Sequence, residues 1–140
     1  MTAVFSPMAA VQTAIMGRLR TDEQLGELVS GVYDYLPETT PFPYVVVGEA
    51  TETPDNAHDR YGRQTTVTLH VWSQYHGYAQ AHQIADRVTA LLDHQPLTVI
   101  GLTHIVTRYE FSQTLTDPET PGNIRHVVLR YRIITEQPPA

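Results

Sequence analysis

The spacing of apolar positions divides the chain into a helical opening, an extended middle and a strand-rich end. Met8, Val11, Ile15 and Leu19 recur at the interval of a single helix face. Ser6 stands where an N-cap belongs, and Pro7 at the first helical position, where its missing N–H costs nothing. Asp22 opens a second, short helix through Leu25, Leu28 and Val29, and Gly31 is expected to end it as a left-handed cap. The period then drops to two. Residues 32–35 read as a short strand, 37–41 as a turn and 44–49 as a second strand, with Pro43 at its start or on an edge. Residues 50–62, ATETPDNAHDRYG, read as a long polar loop, and such loops inside small domains are usually functional or mobile.

Residues 63–74 give the clearest strand, with Val67, Leu69 and Val71 on one side and Thr66, Thr68, His70 and Trp72 on the other. A helix over 78–93 carries the stripe Ala81, Ile84, Ala85, Val88, Leu91 and Leu92, wide enough to lie flat on a sheet. Beyond Pro96, residues 97–100 and 103–115 predict a hairpin about Gly101. Residues 116–123, TDPETPGN, form a second long turn, and 124–135 a last strand with Val127, Leu129, Tyr131 and Ile133 on one face. The order α-α-β-β-β-α-β-β-β predicts an α+β fold, a largely antiparallel sheet with helices on one face. One domain over 1–136 and a flexible tail over 137–140 are expected.

Composition narrows the chemistry. At 140 residues the chain suits one core, and 41% apolar with 17% charged residues describes a folding, soluble domain. The absence of cysteine removes disulfides, thiolate zinc sites and thiol nucleophiles. A net charge of −6 offers no basic stripe for tracking phosphates; Arg130, Arg132 and His126 are the nearest approach to one.

Three of the seven histidines, His70, His76 and His82, are evenly spaced, but they fall on strand, turn and helix and so share no face. His82 with Asp86 at i,i+4 is half of a metal site, and zinc without cysteine needs three convergent ligands. Residues 55–59 imitate a calcium loop but put Arg60 where the turn glycine is required. Ser73 and Ser112 lack the glycines of a nucleophile elbow, and no glycine loop cradles phosphate. No catalytic residue, cofactor or metal ligand is therefore assigned. Trp72, Tyr75 and Tyr78 cluster at the strand-to-helix junction, as core packing or as part of a subunit interface.

Three segments together resemble a family: LRTDEQL (19–25) followed by VYDYLP (32–37); FPYVVVGE (42–49); and TLHVWS (68–73) running on to IADRVTALL (84–92). Pro96-Leu97 and the strand RHVVLRYR (125–132) follow in order. The chain is similar to the tail-completion, or tail-terminator, proteins of long-tailed bacteriophages and related particles. The resemblance implies a structural virion protein without enzymatic activity. Six copies would close a ring at the head-proximal end of the tail tube, ending its polymerisation and joining it to the head connector. Self, tail tube protein and connector (stopper) protein are the implied partners, and genomic DNA would pass through the lumen unbound. The protein would assemble in the host cytoplasm and involve no membrane. Carried over by position, the two polar loops become docking arms, with Glu52, Asp55, His58, Asp59, Arg60, Tyr61, Asp117 and Glu119 as contact residues. Trp72, Tyr75, Arg130 and Arg132 complete the expected interface. The rival readings are another connector part, a stopper or adaptor, and a small metal enzyme built on His70, His82 and Asp86.

Overall fold

In a computed structural model, which describes residues 6–116 and 124–138, three helices cover one face of a five-stranded sheet. The elements are α1 (Met8–Arg20), α2 (Glu23–Leu28), β1 (Val32–Tyr33), β2 (Tyr44–Pro54), β3 (Gly62–Gln74), α3 (Ala79–Leu92), β4 (Thr103–Thr116) and β5 (Ile124–Glu136). Their order across the sheet is β1-β2-β3-β5-β4, with β1 parallel to β2 and every other pairing antiparallel. This is the expected α+β class.

The inner face is built from the alternation seen in the sequence. Val67, Leu69 and Val71 of β3 and Val127, Leu129, Tyr131 and Ile133 of β5 are all buried. Against them lie the six residues of the α3 stripe, also all buried, and Val11, Ile15 and Leu19 of α1. Each fully buried large aliphatic side chain contributes about 1.5–3 kcal/mol. Met8 lies at the end of the predicted stripe and is 37% exposed, and Met16 takes a core place instead.

The helix termini explain themselves locally. The Ser6 hydroxyl accepts from the Met8 N–H at 3.4 Å, one residue earlier than a regular cap. Asp22 caps α2 by accepting from the Leu25 N–H at 2.8 Å, and the same carboxylate receives Arg87 of α3 at 2.9 and 2.7 Å. Those Arg87 bonds hold its carboxyl down to about 2.

Three local expectations change. Gly31 is not left-handed: α2 ends at Val29 in an extended conformation, and the Tyr33 ring end lies where a Cβ on residue 31 would stand. Residues 97–100 form no strand. Leu97 and Val99 are buried, and the His104 ring accepts from the Leu97 N–H at 3.4 Å, so apolar content here records burial without pairing. Residues 50–62 are not one long loop. β2 runs on to Pro54, paired with β3 as far as Arg63, and the chain turns only at the Ala57–Arg60 bridge. Backbone pairing has overridden the polar composition, as it can in a hairpin exposed on both sides.

Past the expected boundary at 136, Gln137 is still buried, and its N–H donates to the Tyr61 carbonyl at 2.8 Å.

Candidate assembly surfaces

The hairpin arm gathers one group of the predicted contact residues at one end of the sheet. Glu52 lies on its inner side, accepting from the Ser6 hydroxyl at 2.7 Å and facing Arg63 at 3.5 Å. Asp55 closes the arm's neck through its N–H to the Gly62 carbonyl at 2.9 Å. Gly62 is required there, since a Cβ would collide with the Asp55 carbonyl oxygen. His58, Asp59 and Arg60 form the exposed tip, where Arg60 reaches Glu136 at 3.1 Å and Asp59 at 3.7 Å. Tyr61 is 51% exposed. These exposed ion pairs are screened by solvent and add little, so the tip is held chiefly by its backbone.

Asp117 and Glu119 lie outside the described residues. The strand ends that flank them, Thr116 and Ile124, are at the opposite end of the sheet from the arm, because Gly62 pairs with Glu136 while Gln74 pairs with Ile124.

The remaining predicted residues fall on or beside the outer face, which none of the three helices covers. Trp72 stacks on His126 at 3.8 Å between centroids and 10° between planes. Arg130 lies over the Phe111 ring at 4.8 Å, and Arg132 binds Glu110 at 2.5 Å. Tyr75 pairs with His76 at the sheet's end, and Tyr78 with His82 and Arg125, so the three clustered aromatics have separate partners. The sequence's outer-face set was right in direction, but each arginine is engaged by a neighbour on β4.

Sequence reading missed two features. The first is the β4 edge. Beyond Thr107 every described residue of β4 is exposed, the large side chains of Tyr109, Phe111 and Leu115 among them, and Ile105 before it is exposed too. On the outer side of β4, the last strand of the sheet, the Thr107 carbonyl accepts from the His94 N–H at 2.7 Å and the Tyr109 N–H donates to Asp93 at 2.8 Å, so the strand offers a template for another strand only beyond Tyr109. Its irregular mixture of apolar and polar residues was the available signal. The second is a cluster about His70. Its Nδ1 meets His126 Nε2 at 2.7 Å and its Nε2 meets Glu49 Oε2 at 3.0 Å. A bulge between Val47 and Ala50 turns Glu49 toward that ring.

The metal-enzyme reading loses its geometry. His70 is on the outer face, whereas His82 is on α3 against the inner one, bonded to Thr114 at 3.0 Å. Among the described residues no group of three or more His, Asp or Glu side chains is placed to hold a metal ion.

A sheet with one covered face, strand edges open over part of their length and a projecting arm suits an assembly subunit, and comparison with known proteins agrees. The model of the tail completion protein gp17 family matches residues 13–136, and the chain belongs to that family. It is 31% identical over 123 residues to the tail completion protein gp17 of Bacillus phage SPP1, covering 88% of this chain and 90% of that one. Among solved structures, that of bacteriophage SPP1 gp17 matches with a TM-score of 0.64 at 29% identity, over 89% of this chain and 88% of that one. A chain of the native gene transfer agent virion shares the fold, with a TM-score of 0.84 at 22% identity over 95% and 99% of the two chains. The protein is thus a structural component of a phage virion.

Proposed function

We propose that the chain closes into a ring of six copies that caps the head-proximal end of the tail tube, stops its growth and joins it to the head connector. The observation that carries this reading is the layout of the sheet. Its two sides offer strand edges: β4 beyond Tyr109, past the His94 and Asp93 contacts, and β2 beyond Val46, where β1 ends. Following the strand directions across the sheet, β4 runs opposite to β2. Copies set side by side in one orientation therefore bring β4 of one against β2 of the next in antiparallel sense. That contact is heterologous, so it ends only by closing on itself, and closure fixes the copy number. The arm at one end and the 116–123 connection at the other are then left for partners above and below the ring. An arm for the tube and an arm for the connector is what a joining piece needs. The same design serves a stopper or adaptor, and affinity for the tail tube separates the two readings.

The net charge of −6 suits a lumen through which DNA slides, because like charges repel. The family relation supports a role without enzymatic activity.

Replacing Phe111 and Leu115 together by glutamate tests the edge. Neither side chain is in the core, being 37% and 38% exposed, so circular dichroism should stay native. Like charges along an edge oppose strand addition. Co-sedimentation with purified tail tubes should fall at least tenfold. Undiminished co-sedimentation would remove β4 from the interface.

A further inference from the structure

We propose that Glu49, His70 and His126 form an acid-released latch that holds the Trp72 ring against the outer face of the sheet. The cluster is built by the fold. Glu49 is supplied by the β2 bulge, His70 by β3 and His126 by β5, where it pairs with Trp72 across the strands. Gly48 makes the seat: a Cβ there would stand 2.9 Å from His70 Cδ2 and 3.2 Å from the Thr68 carbonyl oxygen. The outcome is a hydrogen-bonded chain, Glu49 to His70 to His126, ending in the stack of His126 on Trp72.

Counting protons shows why the chain responds to acid. The Glu49 carboxylate can only accept, so His70 donates to it from Nε2. In the neutral cluster His70 Nδ1 is then an acceptor, and His126 Nε2–H donates to it. One added proton can be accommodated. The pair keeps its contact, because a single hydrogen still lies between the facing nitrogens. A second proton cannot be accommodated. Both facing nitrogens would carry hydrogens at 2.7 Å, and two like charges would lie in contact. The His126 ring must then leave, and its stack on Trp72 goes with it.

The surroundings supply no relief. On β2 the facing charged group is Glu49, already engaged with His70. On β3 the outer-face neighbours Thr68 and Trp72 are neutral. On β5 Arg130, one outer-face step beyond Val128, adds positive charge, with its guanidinium kept over Phe111. On β4 the residues opposite His126 and Val128 are Leu115 and Gln113. Tyr44, opposite Trp72 on β2, is a buried phenol whose ionisation burial pushes further up. Burial, followed by the nearness of His70, also lowers the His126 pKa to about 4, in the direction the proton count requires. A base depressed on folding favours the native state above its ordinary range near 6.5, and that stabilisation is lost as pH falls toward 4.

Trp72 is the only tryptophan in the chain, so its emission reads the latch directly. The experiment follows Trp72 fluorescence of the full chain from pH 7.5 down to 3, with far-UV circular dichroism on the same samples. The wild type should show a reversible emission change centred at about pH 4 while the dichroism stays native. His126→Gln keeps an N–H donor for His70 but cannot titrate, and should abolish the change. His126→Phe, which keeps the stack alone, provides a second variant should the first fail to fold. His70→Gln removes the neighbouring charge and should raise the midpoint. An unaltered emission change in both His126 variants would overturn the proposal, as would a wild-type change that coincides throughout with loss of dichroism.

Discussion

Tyr131→Ala is expected to lower stability by about 3–5 kcal/mol, a third or more of what a domain of this size usually possesses. Tyr131 is fully buried at the centre of β5, the strand flanked on both sides, by β3 and β4. Its ring meets Tyr109 of β4 edge-on at 6.2 Å, and its hydroxyl shares a hydrogen bond with Thr89 of α3 at 2.7 Å. Truncation therefore opens a cavity where sheet and helix meet and strands a hydroxyl beside it. Tyr131→Phe separates the two effects, keeping the volume and leaving only Thr89 unpartnered, at a cost of about 1–2 kcal/mol. Denaturant midpoints of the three proteins give both numbers. A Tyr131→Ala loss below about 1 kcal/mol would mean that the α3–sheet seam is not the core of the fold.

The second large effect falls on assembly. Replacing residues 56–61 by Asn-Gly should leave the isolated chain within about 1 kcal/mol of wild type, since a two-residue turn suits the strands that pair up to Asp55 and Gly62. What is lost is an exposed ion pair of Arg60 with Glu136 and the Tyr61 carbonyl that receives Gln137. Docking to the tail tube should nevertheless be lost, because the arm is the part of the molecule that projects without serving the core. Sedimentation with tubes and thermal denaturation of the free chain form the paired measurement. Equal damage to the free chain, or undiminished docking, would end the arm's role as a docking element.

Much of this fold was legible along the sequence because its core obeys simple periods. The α3 stripe and the inner rows of β3 and β5 are regular enough that every one of their predicted residues is buried. Local chemistry was legible too, as Asp22 at the start of α2 shows. What stayed hidden depends on which strand lies beside which. Residues 50–54 look like loop because neither of their faces is apolar, and only pairing with β3 makes them strand. Residues 97–99 look like strand because they are apolar, though they reach the core as unpaired chain. The Glu49–His70–His126 cluster needs the β3–β5 register and the β2 bulge together, and neither is written in local spacing. The even spacing of His70, His76 and His82 carried no information; the partner that matters to His70 is 56 residues away.

The ring at the end of the tail tube is the central claim, and imaging tests it most directly. Purified tubes lacking this protein are incubated with the full chain and examined by cryo-electron microscopy. A closed ring of six copies at one end of each tube, the β4 edge of each copy against β2 of the next, is the result this account predicts. Tubes that keep bare ends, or copies scattered along the tube wall without closure, would contradict it.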